Sequence, residues 1–131
     1  MTTLPATPAE IARLIPHQGR MCLLDAVLES TPTHITCRAV SHHAPDHPLR
    51  SPGGLLAPVG IEYAAQAMAL HGALNAKPGV AGRPGFLASA RGVTLHVARL
   101  DDVAGALVVE VEHLAGDERQ VMYRFALRDE A

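Results

Sequence analysis

Alternation of apolar and polar residues is the clearest pattern in the second half of the chain. Apolar side chains recur at every second position within three segments, 86–100, 105–114 and 119–128. Residues two apart on a strand lie on the same face, so each segment has one more apolar face and one more polar face. The pattern predicts three half-buried antiparallel strands, with a turn at 115–118.

The N-terminal third predicts a short helix followed by a strand hairpin. Thr7 and Glu10 are spaced as a helix N-cap and its partner, and Pro16 ends the helix. Segments 21–29 and 34–40 are rich in apolar residues and are separated by a Thr/Pro turn, which predicts two paired strands.

A long loop and a single buried helix occupy the middle of the chain. Residues 41–58 contain four prolines and two glycines, too many breakers for a regular element. A loop of this length in a small domain is usually functional. From Pro58 to Gly72 the chain is rich in alanine and apolar on every side, which predicts a buried helix with one acidic residue, Glu62.

Length and composition favour one compact domain, 1–131. The chain has 131 residues, of which 48% are hydrophobic and 18% charged, so it can bury a sizeable core. A helix that is apolar on all sides has to be covered, and the remaining elements are antiparallel strands. The fold class is therefore α+β, with an antiparallel sheet wrapped around one central helix.

Charge, hydropathy and motif spacing exclude several classes of function. The net charge is −2 and the 11 Lys and Arg residues are scattered, which argues against a nucleic-acid partner. There is no signal-peptide pattern and no run of ~18 apolar residues, so we expect no membrane partner and a cytoplasmic location. Cys22 and Cys37 lie among apolar neighbours, as buried thiols do, and His42, His43 and His47 lack metal-ligand spacing. We expect neither a metal nor a cofactor.

Two motifs give the sequence a resemblance to a known family. Residues 15–25, IPHQGRMCLLD, are similar to the Leu-Pro-His element and the following Leu-Leu/Val-Asp strand of the hotdog-fold 3-hydroxyacyl-[acyl-carrier-protein] dehydratases. Glu62, Ala65 and Gln66 match the Glu-x-x-Ala-Gln pattern of the central helix in that family. The chain resembles most a divergent branch of the family that is associated with aryl polyene biosynthesis. This resemblance is found in segments 47–50, 60–69 and 85–91.

The resemblance implies a fold, a reaction and partners. It implies a hotdog fold that eliminates water from a 3-hydroxyacyl thioester, by acid–base catalysis and without a cofactor. The substrate would be carried on the phosphopantetheine of an acyl carrier protein. A homodimer, or a heterodimer with another hotdog protein, is implied as the working assembly.

Two departures from the family pattern bear on the mechanism and the sheet. The best-known members carry Gly-His-Phe-Pro before the helix, with the catalytic histidine fourteen residues before the glutamate. That position is Pro48 in this chain, and His47 is one residue earlier. Family members also generally have a further C-terminal strand, so we expect the sheet here either to lack that edge strand or to pair differently.

Dehydration of a thioester requires a base, an acid and hydrogen-bond donors at the carbonyl. Glu62, in the first turn of the helix, is the acid–base candidate. Gln66 follows four residues later on the same helix face, where it is a substrate-binding candidate that can orient the carboxylate or bind a catalytic water. The backbone N–H groups near Val59 and Gly60, at the helix N-terminus, are the candidate donors to the thioester carbonyl.

The histidine partner of Glu62 has several candidates. His17 matches the Leu-Pro-His element, His47 lies closest to the usual catalytic position, and the pair His42 and His43 opens the same loop. The absence of any catalytic histidine is the remaining possibility. Two other functions fit the same fold: a catalytically impaired acyl-binding subunit of a heterodimer, and an acyl thioesterase in which Glu62 activates water.

Overall fold

A computed structural model describes residues 3–76, 89–117 and 119–130 of the chain. Within these residues the chain forms two α-helices, four strands and short 3-10 turns. The bounds are α1 Pro8–Ala12, β1 Ala26–Ser30, β2 His34–Ala39, α2 Gly60–Leu74, β3 Leu107–Gly116 and β4 Val121–Asp129.

The four strands form one antiparallel sheet in the order β1-β2-β3-β4. The predicted segments 105–114 and 119–128 correspond to β3 and β4, and the predicted hairpin corresponds to β1 and β2. Burial alternates along β2, where Ile35, Cys37 and Ala39 are fully buried. β4 pairs with β3, and in the described part of the chain no strand lies on its other side.

Helix α2 packs against the inner face of this sheet and forms the core with it. Tyr63, Ala64, Ala67 and Leu70 are fully buried in one cluster with inward-facing residues of β2 and β3. The sequence predicts burial on all sides of the helix, but one side of α2 is open in this single chain, where Ala69 and Gly72 are exposed. The sheet covers only one side of a helix, so the other side needs a different partner to be buried.

The short helix α1 is capped as predicted. The Thr7 hydroxyl accepts the Glu10 N–H at 3.2 Å, and the fully buried Ile11 anchors the helix to the core. The helix ends at Ala12, before Pro16, and the loop after it contains His17.

The strand predicted for 86–100 is wrong over the residues that the structure describes. Residues 86–88 lie outside the described residues, and 89–100 form no strand. Val93, Leu95 and Val97 occupy alternate positions of the sequence, but none of them is buried: the three residues are 39% to 51% exposed. A strand needs a neighbouring strand for its backbone hydrogen bonds, and the described residues provide this only at the Leu56–Arg99 bridge.

The strand predicted for 21–29 begins only at Ala26. Before it, residues 19–21 form a 3-10 turn. The Leu23 N–H donates to the Gln66 side chain at 2.9 Å, and the Leu23 carbonyl accepts the Ser41 hydroxyl at 2.7 Å. Side chains thus take the backbone groups of Leu23 that a strand ladder would otherwise use.

Asp101 connects the loop before α2 to the segment after it. Its buried carboxylate accepts the Leu55 N–H at 3.0 Å and the Arg99 Nε–H at 3.1 Å, and Arg50 Nη2 lies 3.3 Å away. The hydrogen bond from Arg99 is the main reason that the pKa of Asp101 is lowered from its usual value of 3.8.

We expect Asp101→Asn to lower the free energy of unfolding at neutral pH. The folded pKa of Asp101 is depressed, so its contribution is present above about pH 3.8 and is lost as the pH falls below that value. The loss is progressive down to the lower folded pKa, so denaturant unfolding at pH 7 and near pH 2 measures this difference. The matched control is Asp102→Asn, whose carboxylate is 70% exposed. A loss of stability in Asp101→Asn no larger than in Asp102→Asn would contradict the prediction.

Candidate active site

Glu62 and His17 lie in contact at the N-terminal end of α2. His17 Nε2 is 3.1 Å from Glu62 Oε1, and the two side chains are 27% and 34% exposed. The carboxylate is therefore less buried than the apolar sequence around it predicts. The 3-10 turn at Ala57–Val59 precedes α2 and places Glu62 in its first helical turn, facing the loop after α1. The pair is held by the protein and remains open to a small molecule from outside.

Gln66 fixes the orientation of the Glu62 carboxylate. Its amide is fully buried, with Oε1 accepting the Leu23 N–H at 2.9 Å and Nε2 donating to the Met21 carbonyl at 2.7 Å. These two backbone partners allow only one orientation of the amide. The Gln66 Nε2 also donates to Glu62 Oε1 at 3.3 Å.

The two oxygens of Glu62 have different surroundings. His17 and Gln66 both contact Oε1. Within residues 3–76, 89–117 and 119–130, Oε2 has no hydrogen-bond partner. One oxygen is thus used to hold the carboxylate, and the other is free to accept a proton.

The geometry of His17 fits a neutral imidazole that donates to Glu62. Its Nε2 faces a carboxylate oxygen and so carries the proton in that bond. Its Nδ1 is buried and has no hydrogen-bond partner among the described residues. A proton on Nδ1 would place an N–H in a buried site without an acceptor, which is costly.

His47 bonds to a different part of the structure. Its Nδ1 accepts the Leu49 N–H at 3.0 Å, so its Nε2 carries the proton and donates to the Tyr63 hydroxyl at 3.0 Å. Tyr63 in turn donates to Ser41 Oγ at 2.7 Å, and Ser41 donates to the Leu23 carbonyl at 2.7 Å. Burial lowers the pKa of His47 and raises the pKa of Tyr63 to about 12.

His42 and His43 bond to backbone carbonyls away from Glu62. The His42 ring is fully buried and its Nε2 lies 3.1 Å from the Val103 carbonyl and 2.9 Å from that of Gly105. His43 Nε2 lies 2.7 Å from the Val103 carbonyl. Desolvation by burial, with His43 close by, lowers the pKa of His42.

We expect the free energy of unfolding to fall as the pH drops below about 6.5, the usual pKa of histidine. His42 and His47 have lowered pKa values in the folded chain, so below that pH the unfolded chain binds protons that the folded chain does not. Denaturant unfolding between pH 8 and 5 measures the slope. His42→Gln keeps a side-chain N–H donor and cannot titrate, so it should reduce the slope; an unchanged slope would contradict the role of His42.

The backbone N–H groups of Val59 and Gly60 are already hydrogen-bonded within the turn at the start of α2. The Val59 N–H donates to the Leu56 carbonyl at 3.0 Å, and the Gly60 N–H donates to Ala57 and Pro58. A Cβ atom at Gly60 would lie 3.2 Å from a methyl group of Leu127, so the glycine permits close packing of α2 against β4. Their role as donors to a substrate stays a prediction.

Tyr63 and Ser41 lie near the site but are not among the residues predicted from the sequence. Tyr63 carried a signal, because a tyrosine in a buried alanine-rich helix needs a partner for its hydroxyl. Ser41 carried none, since a loop serine is ordinary and its two partners are 18 and 22 residues away.

The described residues contain no group of three or more His, Cys, Asp or Glu side chains arranged to hold a metal ion. Cys22 and Cys37 are both free thiols. No helix in the part of the chain that the structure covers is both long and apolar enough to span a membrane.

Comparison with known proteins gives a family and a fold. The ApeP-like family, described as ApeP dehydratase, matches residues 9–131. A solved structure of the dehydratase heterocomplex ApeI:P from Xenorhabdus doucetiae is similar to this chain with a TM-score of 0.74 and 23% sequence identity. That similarity covers 90% of this chain and 80% of the other. No curated protein sequence matches the chain.

The fold is therefore the hotdog fold of dehydratases, with its antiparallel sheet packed on one main helix, as predicted. The chain belongs to the ApeP-like dehydratase family.

Proposed function

We propose that this protein is a 3-hydroxyacyl-[acyl-carrier-protein] dehydratase that acts in the cytoplasm. The observation that carries the proposal is the Glu62 carboxylate, held at Oε1 by His17 and Gln66 and without a hydrogen bond at Oε2 from any residue that the structure describes. Because the chain belongs to a dehydratase family, dehydration is the reaction that we assign to this acid–base pair. In this proposal Glu62 and His17 are the catalytic residues, and Gln66 positions Glu62.

The proton transfers of the proposed elimination need only this pair, while backbone N–H groups near Val59 and Gly60 are the proposed donors to the thioester carbonyl. Glu62 Oε2 takes the proton from C2 of the thioester, the C2–C3 double bond forms and the C3–O bond breaks. The leaving hydroxide takes a proton from the Glu62–His17 pair and departs as water. The pair returns to its starting protonation state, and the products are the enoyl thioester and water.

Two partners belong to the proposal. The substrate is carried on the phosphopantetheine of an acyl carrier protein, as the resemblance to these dehydratases implies. The second partner is another hotdog chain, identical or different, since the similar solved structure is a heterocomplex. Val93, Leu95 and Val97 and the open side of α2 support such a partner, because these apolar residues are exposed in the part of the chain that the structure describes.

A catalytically impaired acyl-binding subunit is the second candidate function. Pro48 stands where the best-known relatives carry the catalytic histidine, and the neighbouring His47 is bonded to Tyr63. In this alternative the chain binds the acyl group, and the second hotdog subunit performs the elimination.

Incubation of the purified chain with a 3-hydroxyacyl carrier protein tests the proposal. We expect mass spectrometry to show the loss of water and formation of the enoyl thioester. Inactivity of the chain alone, together with activity of a hotdog partner that does not depend on Glu62 of this chain, would favour the acyl-binding subunit. Release of the free acid would instead identify a thioesterase.

A further inference from the structure

Two side-chain networks meet at one residue, Leu23. Gln66, which holds Glu62, accepts the Leu23 N–H at 2.9 Å. Ser41 donates to the Leu23 carbonyl at 2.7 Å and accepts the hydroxyl of Tyr63, also at 2.7 Å. The catalytic candidates are therefore connected through Leu23 to Ser41, and through Ser41 to the hydroxyl of Tyr63, neither of which is hydrogen-bonded to Glu62 or His17 among the described residues.

The donors in the second network run in a single direction. The Leu49 N–H fixes the His47 tautomer, His47 donates to Tyr63, Tyr63 donates to Ser41, and Ser41 donates to a carbonyl that can only accept. Each hydroxyl therefore has one assigned donor and one assigned acceptor. A network in which every member is satisfied restricts the positions of its members.

Burial makes these partners difficult to replace. Gln66 and Tyr63 are fully buried, and His47 is 5% exposed. Water cannot readily take the place of the Tyr63 hydroxyl, so its loss would leave His47 Nε2 without its acceptor and Ser41 Oγ without its donor. Relaxation of Ser41 would release the Leu23 carbonyl, and a shift of Leu23 would move the amide of Gln66.

We propose that Tyr63, with Ser41 and His47, is a positioning residue for the Glu62–His17 pair, acting through Leu23 and Gln66. This inference rests on the proposed dehydration for its kinetic consequence. It assigns His47 a role in the site without contact with the substrate.

Tyr63→Phe tests the inference, because it removes the hydroxyl and keeps the buried ring. We expect kcat to fall on the order of tenfold, with KM nearly unchanged, since a small displacement of the base affects the chemical step more than binding. Ser41→Ala interrupts the same network at the next residue and should have the same effect. It also serves as the test if Tyr63→Phe does not fold.

Tyr123→Phe is the matched control. The Tyr123 hydroxyl also bonds to a buried histidine, His71, at 2.7 Å, and His71 Nε2 lies 2.8 Å from the Thr31 carbonyl. This variant loses a hydrogen bond of the same kind, between a tyrosine on β4 and a histidine on α2, and no hydrogen bond described here connects that pair to Leu23. We expect a similar loss of thermal stability and no change in kcat. Equal kcat values for Tyr63→Phe and Tyr123→Phe would overturn the inference.

The NMR signals of the Gln66 side-chain amide and the His17 ring give a readout that does not depend on activity. We expect both to shift in Tyr63→Phe and Ser41→Ala and to stay unchanged in Tyr123→Phe. If the wild-type chain does not dehydrate the substrate, the proposed function fails, and these signals still decide the positioning role. Unchanged signals in Tyr63→Phe and Ser41→Ala would overturn it.

Discussion

Glu62→Gln is expected to lower the rate of dehydration by ~10²-fold or more. Glutamine has nearly the same shape as glutamate and keeps an oxygen that can accept the His17 Nε2–H, so the fold and the local geometry should be retained. The amide cannot take the C2 proton at the position of Oε2. The rate of enoyl formation from a 3-hydroxyacyl carrier protein measures the effect.

Glu112→Gln provides the matched control for this experiment. The substitution is chemically the same, and Glu112 lies on β3 with its side chain 3.6 Å from Arg124 at the protein surface. A surface ion pair of this kind contributes little, so the control should keep both activity and stability. Undiminished activity in Glu62→Gln would show that Glu62 is not the base.

The second large effect is expected from the two candidate histidines, which should respond differently to substitution. His17→Gln should lower the rate by ~10²-fold with little loss of stability. The reason is that, among the described residues, the His17 ring makes one hydrogen bond, to the partly exposed Glu62 carboxylate, and its other ring nitrogen makes none. The measurements are the rate of enoyl formation and the free energy of unfolding.

His47→Gln should mainly affect stability. Both ring nitrogens of His47 are bonded in a buried site, so we expect a loss of ~1–3 kcal/mol in the free energy of unfolding. The rate should fall less than in His17→Gln, by about tenfold, through the positioning network. A larger loss of rate in His47→Gln than in His17→Gln, in protein that remains folded, would assign the catalytic role to His47 instead.

The parts of the fold that the sequence predicted correctly are those encoded by local patterns. α2 follows from a breaker-free apolar segment, and α1 follows from the Thr7 cap. β3 and β4 follow from alternation with period two, because that period places apolar side chains on one face whatever the strand pairs with.

The incorrect parts depend on contacts with distant residues. Segment 93–97 has the alternation of a strand, but within the described residues no neighbouring strand satisfies its backbone. Residues 21–25 are apolar enough for a strand, but the side chains of Gln66 and Ser41 bind the backbone of Leu23. Neither the missing neighbour of segment 93–97 nor the hydrogen bonds to Leu23 can be predicted from a local sequence pattern.

For the candidate site, the sequence by itself placed Glu62 and Gln66 side by side, because residues four apart share one face of a helix. It left the histidine open among His17, His47 and the pair at 42 and 43. Only the tertiary structure decided which of them lies beside Glu62. His17 is 45 residues from Glu62 in sequence, and the fold of the loop after α1 places its Nε2 3.1 Å from the carboxylate. His47 is closer in sequence, but the buried hydroxyl of Tyr63 needs a donor, and that requirement holds the His47 ring at Tyr63.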